Sequence, residues 1–188
     1  MPRCAWCTDD PLYITYHDEE WGVPQRDPGV LFELLILEGF QAGLSWLTVL
    51  RRRAYFRQVL HGFDPVRLAA LSDEDIEQLL QDPGMIRNRR KIEALRRNAR
   101  AWLRLESPAE WLWSFVGGKP KISHFRDLRE VPVFTAEAEA MSKALKHAGF
   151  TFVGPTICYA LMQACGMVMD HTQDCPRYAA LSQPGCTS

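Results

Sequence analysis

The sequence has no long apolar run, almost no net charge and little alternation of apolar with polar residues. No stretch approaches the roughly 18–20 consecutive apolar residues that a membrane-spanning helix needs. Residues 1–10 also lack the apolar centre of a secretion signal. These absences predict a soluble, cytoplasmic protein whose six cysteines are reduced. The scarcity of alternating patterns argues against a β-sheet protein, and no repeat or low-complexity tract indicates an array or a disordered chain.

The net charge is small because opposite charges are separated along the chain. The total of 22 Lys and Arg against 23 Asp and Glu argues against a general polyanion binder. Residues 1–50, however, hold 2 basic and 8 acidic residues, whereas residues 51–104 hold 13 basic and 7 acidic residues. The groups at Arg51–Arg53 and Arg87–Arg100 are therefore candidates to face phosphates, with an affinity that decreases as salt increases.

Helical patterns cover most of the 188 residues and predict an all-α fold. Residues 30–38 are nearly all apolar, which predicts a helix buried on most faces, and residues 44–60 have an amphipathic pattern. Cys158 and Cys165 have apolar helical surroundings, so we expect both in the core. Helix start signals occur at Ser72, Ser107, Thr135 and Pro155, and stop signals at Gly149 and Gly166.

Cysteine and histidine residues near both ends of the chain could form a metal site. Cys4 and His17 lie near the start, and His171 and Cys175 lie four residues apart near the end. Together they could form a tetrahedral site that joins the two termini. Cys7, which forms a Cys-x-x-Cys pair with Cys4, is an alternative to His17, and spacing does not choose between them. Four protein ligands would make the site structural, because no position remains for water.

Aromatic residues with polar tips lie close in sequence to one potential metal ligand and to a carboxylate. Glu38 ends an otherwise apolar helix, which is an unusual place for a charged side chain. The group predicts a stacking pocket for a flat aromatic ligand, with one acceptor to orient it. In the alternative interpretation, Glu38 is a solvated helix end and the aromatics are ordinary core. The four aromatics are Tyr13, Tyr16, Trp21 and Trp46.

A glycine-containing turn follows this helix. It reads Gln41-Ala42-Gly43-Leu44, and an exposed Leu44 could act as a wedge between stacked bases. The alternative is that Leu44 packs within the first turn of the next helix.

A second turn, at Pro83-Gly84, separates a helix from a strongly basic one. Free backbone N–H groups and flanking cations at a helix start suit a phosphate. The alternative is a solvated basic face. The candidate DNA-contacting residues of this hairpin are Gly84, Met85, Ile86, Arg87, Arg89 and Lys91.

Several motifs in these regions resemble those of the bacterial DNA-3-methyladenine glycosylase I family, within the helix-hairpin-helix superfamily. The resemblance covers nearly the whole chain, to about residue 175. The matching stretches are Cys4-Ala5-Trp6, Asp10–Asp18, Glu20–Pro24, Leu37-Glu38-Gly39, Gln41–Trp46, Phe150–Gly154 and Gln163–Gly166.

The resemblance implies an all-α helix-hairpin-helix glycosylase fold, with a structural Zn²⁺ site joining the N- and C-terminal segments. It favours Cys4, His17, His171 and Cys175 as the ligands and leaves Cys7 outside the site. It implies one glycosylase domain over residues 1–175, made of two helical lobes. We expect residues 176–188 to form a loose tail.

The resemblance also assigns roles to the candidate residues. Glu38 is the expected catalytic residue, and the base pocket is formed by Glu38 with the four aromatics. Gln41, Gly43 and Leu44 would enter the DNA at the lesion, while the hairpin residues named above contact its backbone.

The implied activity is hydrolysis of the N-glycosidic bond of 3-methyladenine in alkylated double-stranded DNA, after the nucleotide is flipped. Superfamily members usually carry a catalytic aspartate after the hairpin, but neither Asp127 nor Asp170 has a fitting context. Lys91 lies one turn beyond the hairpin, so no lysine is placed to form a Schiff base. We therefore expect a monofunctional enzyme that leaves an abasic site and acts as a monomer without a membrane partner.

Overall fold

The computed structural model describes residues 2–182. The chain is mostly helical, as the sequence predicts, and eleven α-helices occur in these residues. No helix in this range combines the length and apolarity needed to cross a membrane. The α-helices are α1 Pro11–Thr15, α2 Pro28–Gln41, α3 Trp46–Leu50, α4 Arg53–Val59, α5 Pro65–Ala69, α6 Asp73–Gln81, α7 Arg89–Trp102, α8 Pro108–Ser114, α9 Ala136–His147, α10 Pro155–Ala164 and α11 Pro176–Leu181.

Shorter elements lie between these helices. A π-helix, Tyr16–Glu20, follows α1 directly, and 3₁₀ turns occupy His61–Phe63 and Leu128–Glu130. Two strands, β1 Lys121–Ile122 and β2 Val168–Met169, pair in parallel, with Lys121 opposite Val168. The expectation of an all-α fold is therefore corrected, because the described residues also contain one small sheet. Strands of two residues are too short to show an alternating pattern, which is why the sequence does not reveal them.

Helix α2 is the centre of the fold. Asp27 caps its start by accepting a hydrogen bond from Val30 N, and Pro28 occupies the first turn. Residues 31–40 are all buried, which confirms the prediction of a helix buried on most faces. Helices α3, α7, α8 and α10 pack against α2, and the buried apolar side chains form one continuous cluster.

Most of the predicted helix boundaries are confirmed, with two differences. Ser72 and Asp75 form a reciprocal capping box, and Thr135 caps α9. Ser107 precedes α8 but makes no side-chain cap hydrogen bond. The amphipathic pattern of residues 44–60 is divided between α3 and α4, because the chain turns at Arg51–Arg52.

The loose-tail expectation is wrong for the first part of residues 176–188. Helix α11 begins at Pro176, a residue whose fixed φ suits a first helical turn. Its Tyr178 hydroxyl contacts His124 Nδ1 at 2.5 Å, which ties the helix to the loop after β1. Residues 183–188, including Cys186, lie outside the described range.

The N-terminal segment is fastened to the end of α10 by main-chain hydrogen bonds. Gly22 N donates to Gln163 O at 3.0 Å, and Gln25 N donates to Cys165 O at 2.9 Å. Gly166 makes this approach possible, since its φ is +70° and an added Cβ would lie 2.5 Å from Pro24 N. The two ends of the chain therefore meet through backbone contact.

We expect Gly166→Ala to lower the free energy of unfolding by more than about 2 kcal/mol, because it adds both backbone strain and a backbone clash. Denaturant unfolding measures the change. Gly154→Ala is the matched control, since an added Cβ there meets nothing within 4 Å and φ is −64°. Equal losses of stability in the two variants would contradict this account of Gly166.

Candidate active site and metal centre

A cavity of about 270 Å³ lies between the N-terminal segment, α2 and α10. The structure brings together on its wall all five residues that the sequence assigns to a base pocket, Tyr13, Tyr16, Trp21, Glu38 and Trp46. Gln41 also lines it. The further lining residues that the sequence did not single out for the pocket include Trp6, Val131, Thr156, Tyr159, Ala160, Gln163, Asp170 and Thr172.

Glu38 supplies a buried carboxyl group to this cavity. It lies near the end of α2 and is only 3% exposed, so the solvated-helix-end alternative is wrong. Its Oε2 atom has no hydrogen-bond partner among the described residues. Burial raises the pKa of Glu38 from 4.5 to about 8. A buried carboxyl without a partner is available to a ligand that donates hydrogen bonds or carries positive charge.

The aromatic side chains contact one another around the cavity. Trp6 is central, with ring centroids 5.1 Å from Tyr13 and 4.9 Å from Trp21. Tyr16 lies 5.3 Å from Trp46, and both are buried. The indole N–H groups of Trp6 and Trp46 have no partner in the described chain. Such donors usually find a partner when buried, so the aromatic wall is also prepared for polar contacts.

Two aromatic residues of the cavity, Trp6 and Tyr159, were not among the pocket residues predicted from the sequence. The signals for Trp6 are its place between Cys4 and Cys7, next to a predicted metal ligand, and its presence in the matching stretch Cys4-Ala5-Trp6. Tyr16 and His17 begin the π-helix Tyr16–Glu20, and both are buried. Single-turn π-helices often occur at functional sites.

Cys4, His17, His171 and Cys175 converge on one buried point. The candidate ligand atoms all lie within 4.8 Å of one another. Cys4 Sγ is 3.4 Å from His171 Nδ1, and Cys175 Sγ is 3.5 Å from His17 Nε2. Tetrahedral zinc, with Zn–S of about 2.3 Å and Zn–N of about 2.0 Å, separates such sulfur and nitrogen atoms by about 3.5 Å. The donor set therefore fits a tetrahedral metal ion.

The second nitrogen of each histidine also has a partner. His17 Nδ1 contacts Asp18 Oδ1 at 2.7 Å, and His171 Nε2 contacts Trp21 O at 3.0 Å. A hydrogen bond from Arg3 lowers the pKa of Asp18 to about 2, which keeps it a carboxylate. Carbonyl and carboxylate partners of this kind orient metal-binding histidines.

Cys7 does not belong to this cluster. Its thiol contacts the carbonyl groups of Thr8 and Tyr13 at 3.6 and 3.7 Å. The alternative ligand set with Cys7 in place of His17 is therefore disfavoured. Cys158 and Cys165 are buried, as predicted, and burial raises the pKa of each thiol to about 12.

One face of α10 forms a further wall of the cavity. Thr156, Tyr159, Ala160 and Gln163 all line it, at the spacing that places residues on one side of a helix. Asp170, directly after β2, accepts hydrogen bonds from the Tyr159 hydroxyl at 2.5 Å and from Gln163 Nε2 at 2.8 Å. The helical spacing in α10 was the only sequence signal for this wall.

The turn Gln41–Leu44 runs from the edge of the cavity to the protein surface. Gly43 has a φ of +78°, and an added Cβ would meet nothing within 4 Å. Leu44 is 40% exposed and lies before α3 begins. The exposure of this leucine is what the wedge interpretation requires.

The hairpin between α6 and α7 presents backbone rather than apolar side chains. Met85 and Ile86 are buried, so any ligand would meet their main chain. Gly84 packs so closely on Tyr55 that an added Cβ would lie 2.2 Å from the ring. Arg87 is exposed, whereas Arg89 forms a two-point contact with Glu77.

Lys91 does not fit its predicted role at a phosphate. It is 5% exposed, and its Nζ donates to Phe40 O at 2.7 Å and to Ala42 O at 2.5 Å. Burial lowers its pKa. The cation binds carbonyl groups at the end of α2, where the helix dipole is negative. Lys91 therefore fixes the Gln41–Leu44 turn against α7.

The basic groups that were candidates to face phosphates are only partly available. Arg53 is buried against Glu20 and Glu33, and Arg51 pairs with Asp10. Arg96 pairs with Asp73 and also donates to Leu71 O. The middle segment thus uses much of its positive charge within the fold. Over residues 2–182, the arginines of these two groups without an ion pair or side-chain hydrogen bond are Arg52, Arg87, Arg90 and Arg97.

Known proteins match this chain over nearly its whole length. A family model described as methyladenine glycosylase matches residues 6–178. The chain is 53% identical over 182 residues to DNA-3-methyladenine glycosylase 1 of Escherichia coli strain K12, covering 95% of this chain and 97% of that protein. It is 48% identical over 178 residues to DNA-3-methyladenine glycosylase of Haemophilus influenzae, covering 93% and 96% of the two chains.

Solved structures give the same result. A crystal structure of 3-methyladenine DNA glycosylase I matches with a TM-score of 0.92 at 54% identity, over 93% of this chain and 98% of that one. A variant of such an enzyme, solved in complex with 3-methyladenine, matches with a TM-score of 0.90 at 37% identity, over 94% and 97%. The chain therefore belongs to the methyladenine glycosylase family.

Proposed function

We propose that this protein excises 3-methyladenine from alkylated double-stranded DNA by hydrolysing the N-glycosidic bond and leaving an abasic site. The observation that carries the proposal is the Glu38 carboxyl, buried on the wall of an aromatic cavity with an unpartnered oxygen. A relative with the same fold is named for its complex with 3-methyladenine. The cavity chemistry and the family membership point to the same ligand.

The chemistry of the base explains why this cavity is suited to it. Adenine methylated at N3 within DNA is cationic, so its glycosidic bond is weak and the base leaves readily. A cationic ring over Tyr16 and Trp46 gains roughly 0.5–2 kcal/mol per contact from cation–π attraction. Glu38 accepts a hydrogen bond from the exocyclic amino group and stabilises positive charge as the bond breaks. Water then captures the sugar cation.

Access to the cavity requires the nucleotide to leave the duplex. Flipping the nucleotide out of the duplex costs a few kcal/mol, and this cost is smallest for a damaged base. Leu44, exposed beside the cavity-lining Gln41, would enter the space that the base vacates. Residues 84–87 form the hairpin of a helix-hairpin-helix motif, with its main chain and Arg87 near phosphates. Arg89 also contacts a phosphate once its ion pair with Glu77 is broken.

The side chains around the cavity support the proposal of hydrolysis without strand cleavage. Within residues 2–182, those lining it include no lysine to attack the sugar. Lys91 is held by two carbonyl groups elsewhere. The Asp170 carboxylate already accepts three hydrogen bonds, from Ser123, Tyr159 and Gln163, which makes it a poor general base. We therefore propose a monofunctional glycosylase without a catalytic aspartate.

We propose that Zn²⁺ is the metal held by Cys4, His17, His171 and Cys175. The donor atoms suit zinc, and four protein ligands make the ion structural. Its contribution when bound is to join the N-terminal segment to the end of β2 and the start of α11. Residues 1–175 then form one glycosylase domain of two helical lobes that acts as a monomer, in the cytoplasm where its DNA substrate is found.

Incubation with methylated duplex DNA tests the activity. We expect the wild-type protein to release 3-methyladenine and to give no borohydride-trapped complex. Glu38→Gln should reduce release by at least about 100-fold, because a bound cationic base favours the ionised form of Glu38 and glutamine cannot ionise. Glu33→Gln is a matched control, since Glu33 is buried on the same helix but pairs with Arg53 outside the cavity. Binding of methylated DNA without release would contradict the proposed activity.

The raised pKa of Glu38 predicts a pH-dependent stability. The folded protein holds a proton on Glu38 up to about pH 8, whereas the unfolded chain loses it near 4.5. The stability of the protonated state is fully present below about pH 4.5 and is lost as pH rises through about 8. Glu38→Gln remains neutral, so its Tm should exceed that of wild type by more at pH 8 than at pH 5. An equal difference at both pH values would disprove the raised pKa.

The metal assignment predicts a stability effect. His171→Ala should abolish bound zinc, measured by elemental analysis, and lower Tm, because the three remaining ligands lie on separate segments of the chain. Cys7→Ser should keep both the zinc and the Tm of wild type. Loss of zinc in Cys7→Ser, with retention in His17→Ala, would move the site to the alternative ligand set, which keeps His171.

A further inference from the structure

Asp170 fixes the orientation of one glutamine on the cavity wall. The small sheet places Asp170 directly after β2 and Ser123 directly after β1. The Ser123 hydroxyl donates to Asp170 Oδ1 at 2.6 Å. The Tyr159 hydroxyl and Gln163 Nε2 share Oδ2, at 2.5 and 2.8 Å. Asp170 is 3% exposed, so this arrangement is built into the interior rather than onto a mobile surface.

The chemistry of these groups determines which end of the Gln163 amide faces the cavity. A carboxylate only accepts, and a glutamine amide donates only through Nε2. Because the Asp170 carboxylate only accepts, Nε2 is the end of the Gln163 amide that can bond to it, whereas Oε1 in that place would set two acceptors against each other. Gln163 Oε1 is then directed away from Asp170, and it makes no hydrogen bond within residues 2–182. Because Gln163 lines the cavity, its wall there presents an acceptor.

This acceptor lies on α10, which packs against α2, the helix that carries Glu38. Two neighbouring helices therefore contribute to one cavity wall: Glu38 of α2, whose Oε2 has no partner among the described residues, and Gln163 of α10, whose Nε2 is already used by Asp170. The amino group of an adenine carries two hydrogen atoms, so it can donate to two acceptors at once.

We propose that Gln163 is a specificity-determining residue whose Oε1 accepts a hydrogen bond from the exocyclic amino group of the base, and that Asp170 is the positioning residue that holds it. The inference rests on the proposed function, whose base it concerns. A guanine presents an oxygen where adenine presents this amino group. That oxygen would face the Gln163 Oε1 acceptor instead of a donor, which disfavours 3-methylguanine.

Two substitutions separate the acceptor from its support. Gln163→Met keeps the length of the side chain and removes its polar atoms. Asp170→Asn can donate through its amide, so it favours the opposite orientation of Gln163 and turns Nε2 toward the cavity. Gln58→Met is the matched control, because Gln58 is exposed on α4 and away from the cavity.

The readout is the ratio of affinities for free 3-methyladenine and free 3-methylguanine, measured by quenching of tryptophan fluorescence. Loss of one hydrogen bond to the base should weaken 3-methyladenine binding by about tenfold in Gln163→Met. Affinity for 3-methylguanine should remain unchanged or increase, so the ratio falls. In Asp170→Asn the ratio should fall further, because a donor then faces the guanine oxygen. Gln58→Met should keep the wild-type ratio.

A ratio that stays at the wild-type value in Gln163→Met overturns the proposal, whether both affinities are retained or both decrease together. Zinc content and Tm are measured on each variant, and the decision rests on Gln163→Met alone if Asp170→Asn loses its metal or fails to fold. A wild-type protein that binds free bases but releases none from DNA would contradict the proposed function, while the ratio would still decide the role of Gln163. Absence of binding to either base in wild type would count against both.

Discussion

The burial of the Glu38 carboxyl without a protein partner is the constraint on which the rest of the site depends. Leaving a buried polar group unsatisfied costs about 1–3 kcal/mol, which the packing of α2 against its neighbours has to offset. Nearly every residue from Leu31 to Phe40 is apolar, and helices on several sides cover them. Glu33, the other acidic residue of α2, is satisfied by Arg53 and Arg57. Of the two buried carboxyl groups of α2, Glu33 is therefore paired with arginines, and Glu38 has an oxygen without a protein partner.

The metal cluster has a second consequence beyond joining the two ends of the chain. Its ligands alternate in sequence with cavity residues: Cys4 precedes Trp6, Tyr16 precedes His17, and Asp170 precedes His171. Trp21 supplies its carbonyl to His171 and its ring to the cavity. Any displacement of the cluster therefore moves three walls of the cavity together. A structural ion bound at this place would help to hold the shape of the site without taking part in its chemistry.

The helices and the pocket differ in how far the sequence predicts them. Helix α2 and the capping box at Ser72 are fixed by residues adjacent in the chain, so their patterns are visible locally. The placement of Trp6, Gln163 and Asp170 depends on the approach of segments more than 100 residues apart, which leaves no local pattern. The four residues of the candidate metal cluster were chosen through a resemblance, because spacing alone left Cys7 equally possible. The two-residue strands gave no signal at all.

Lys91 shows why charge counted along a sequence is a poor guide to a DNA surface. It lies in a run of arginines that looks uniformly exposed, yet its Nζ donates hydrogen bonds to two carbonyl groups at the end of α2. Arg53 likewise neutralises Glu33 inside the fold. Both cations act on α2, one at the turn that follows it and one in its middle. Two cations of the basic middle segment thus support the acidic N-terminal segment from within the fold, at Glu33 and at the end of α2. We therefore expect the few arginines beside the hairpin that have no ion pair within residues 2–182, rather than the segment's total charge, to set how strongly undamaged DNA is held.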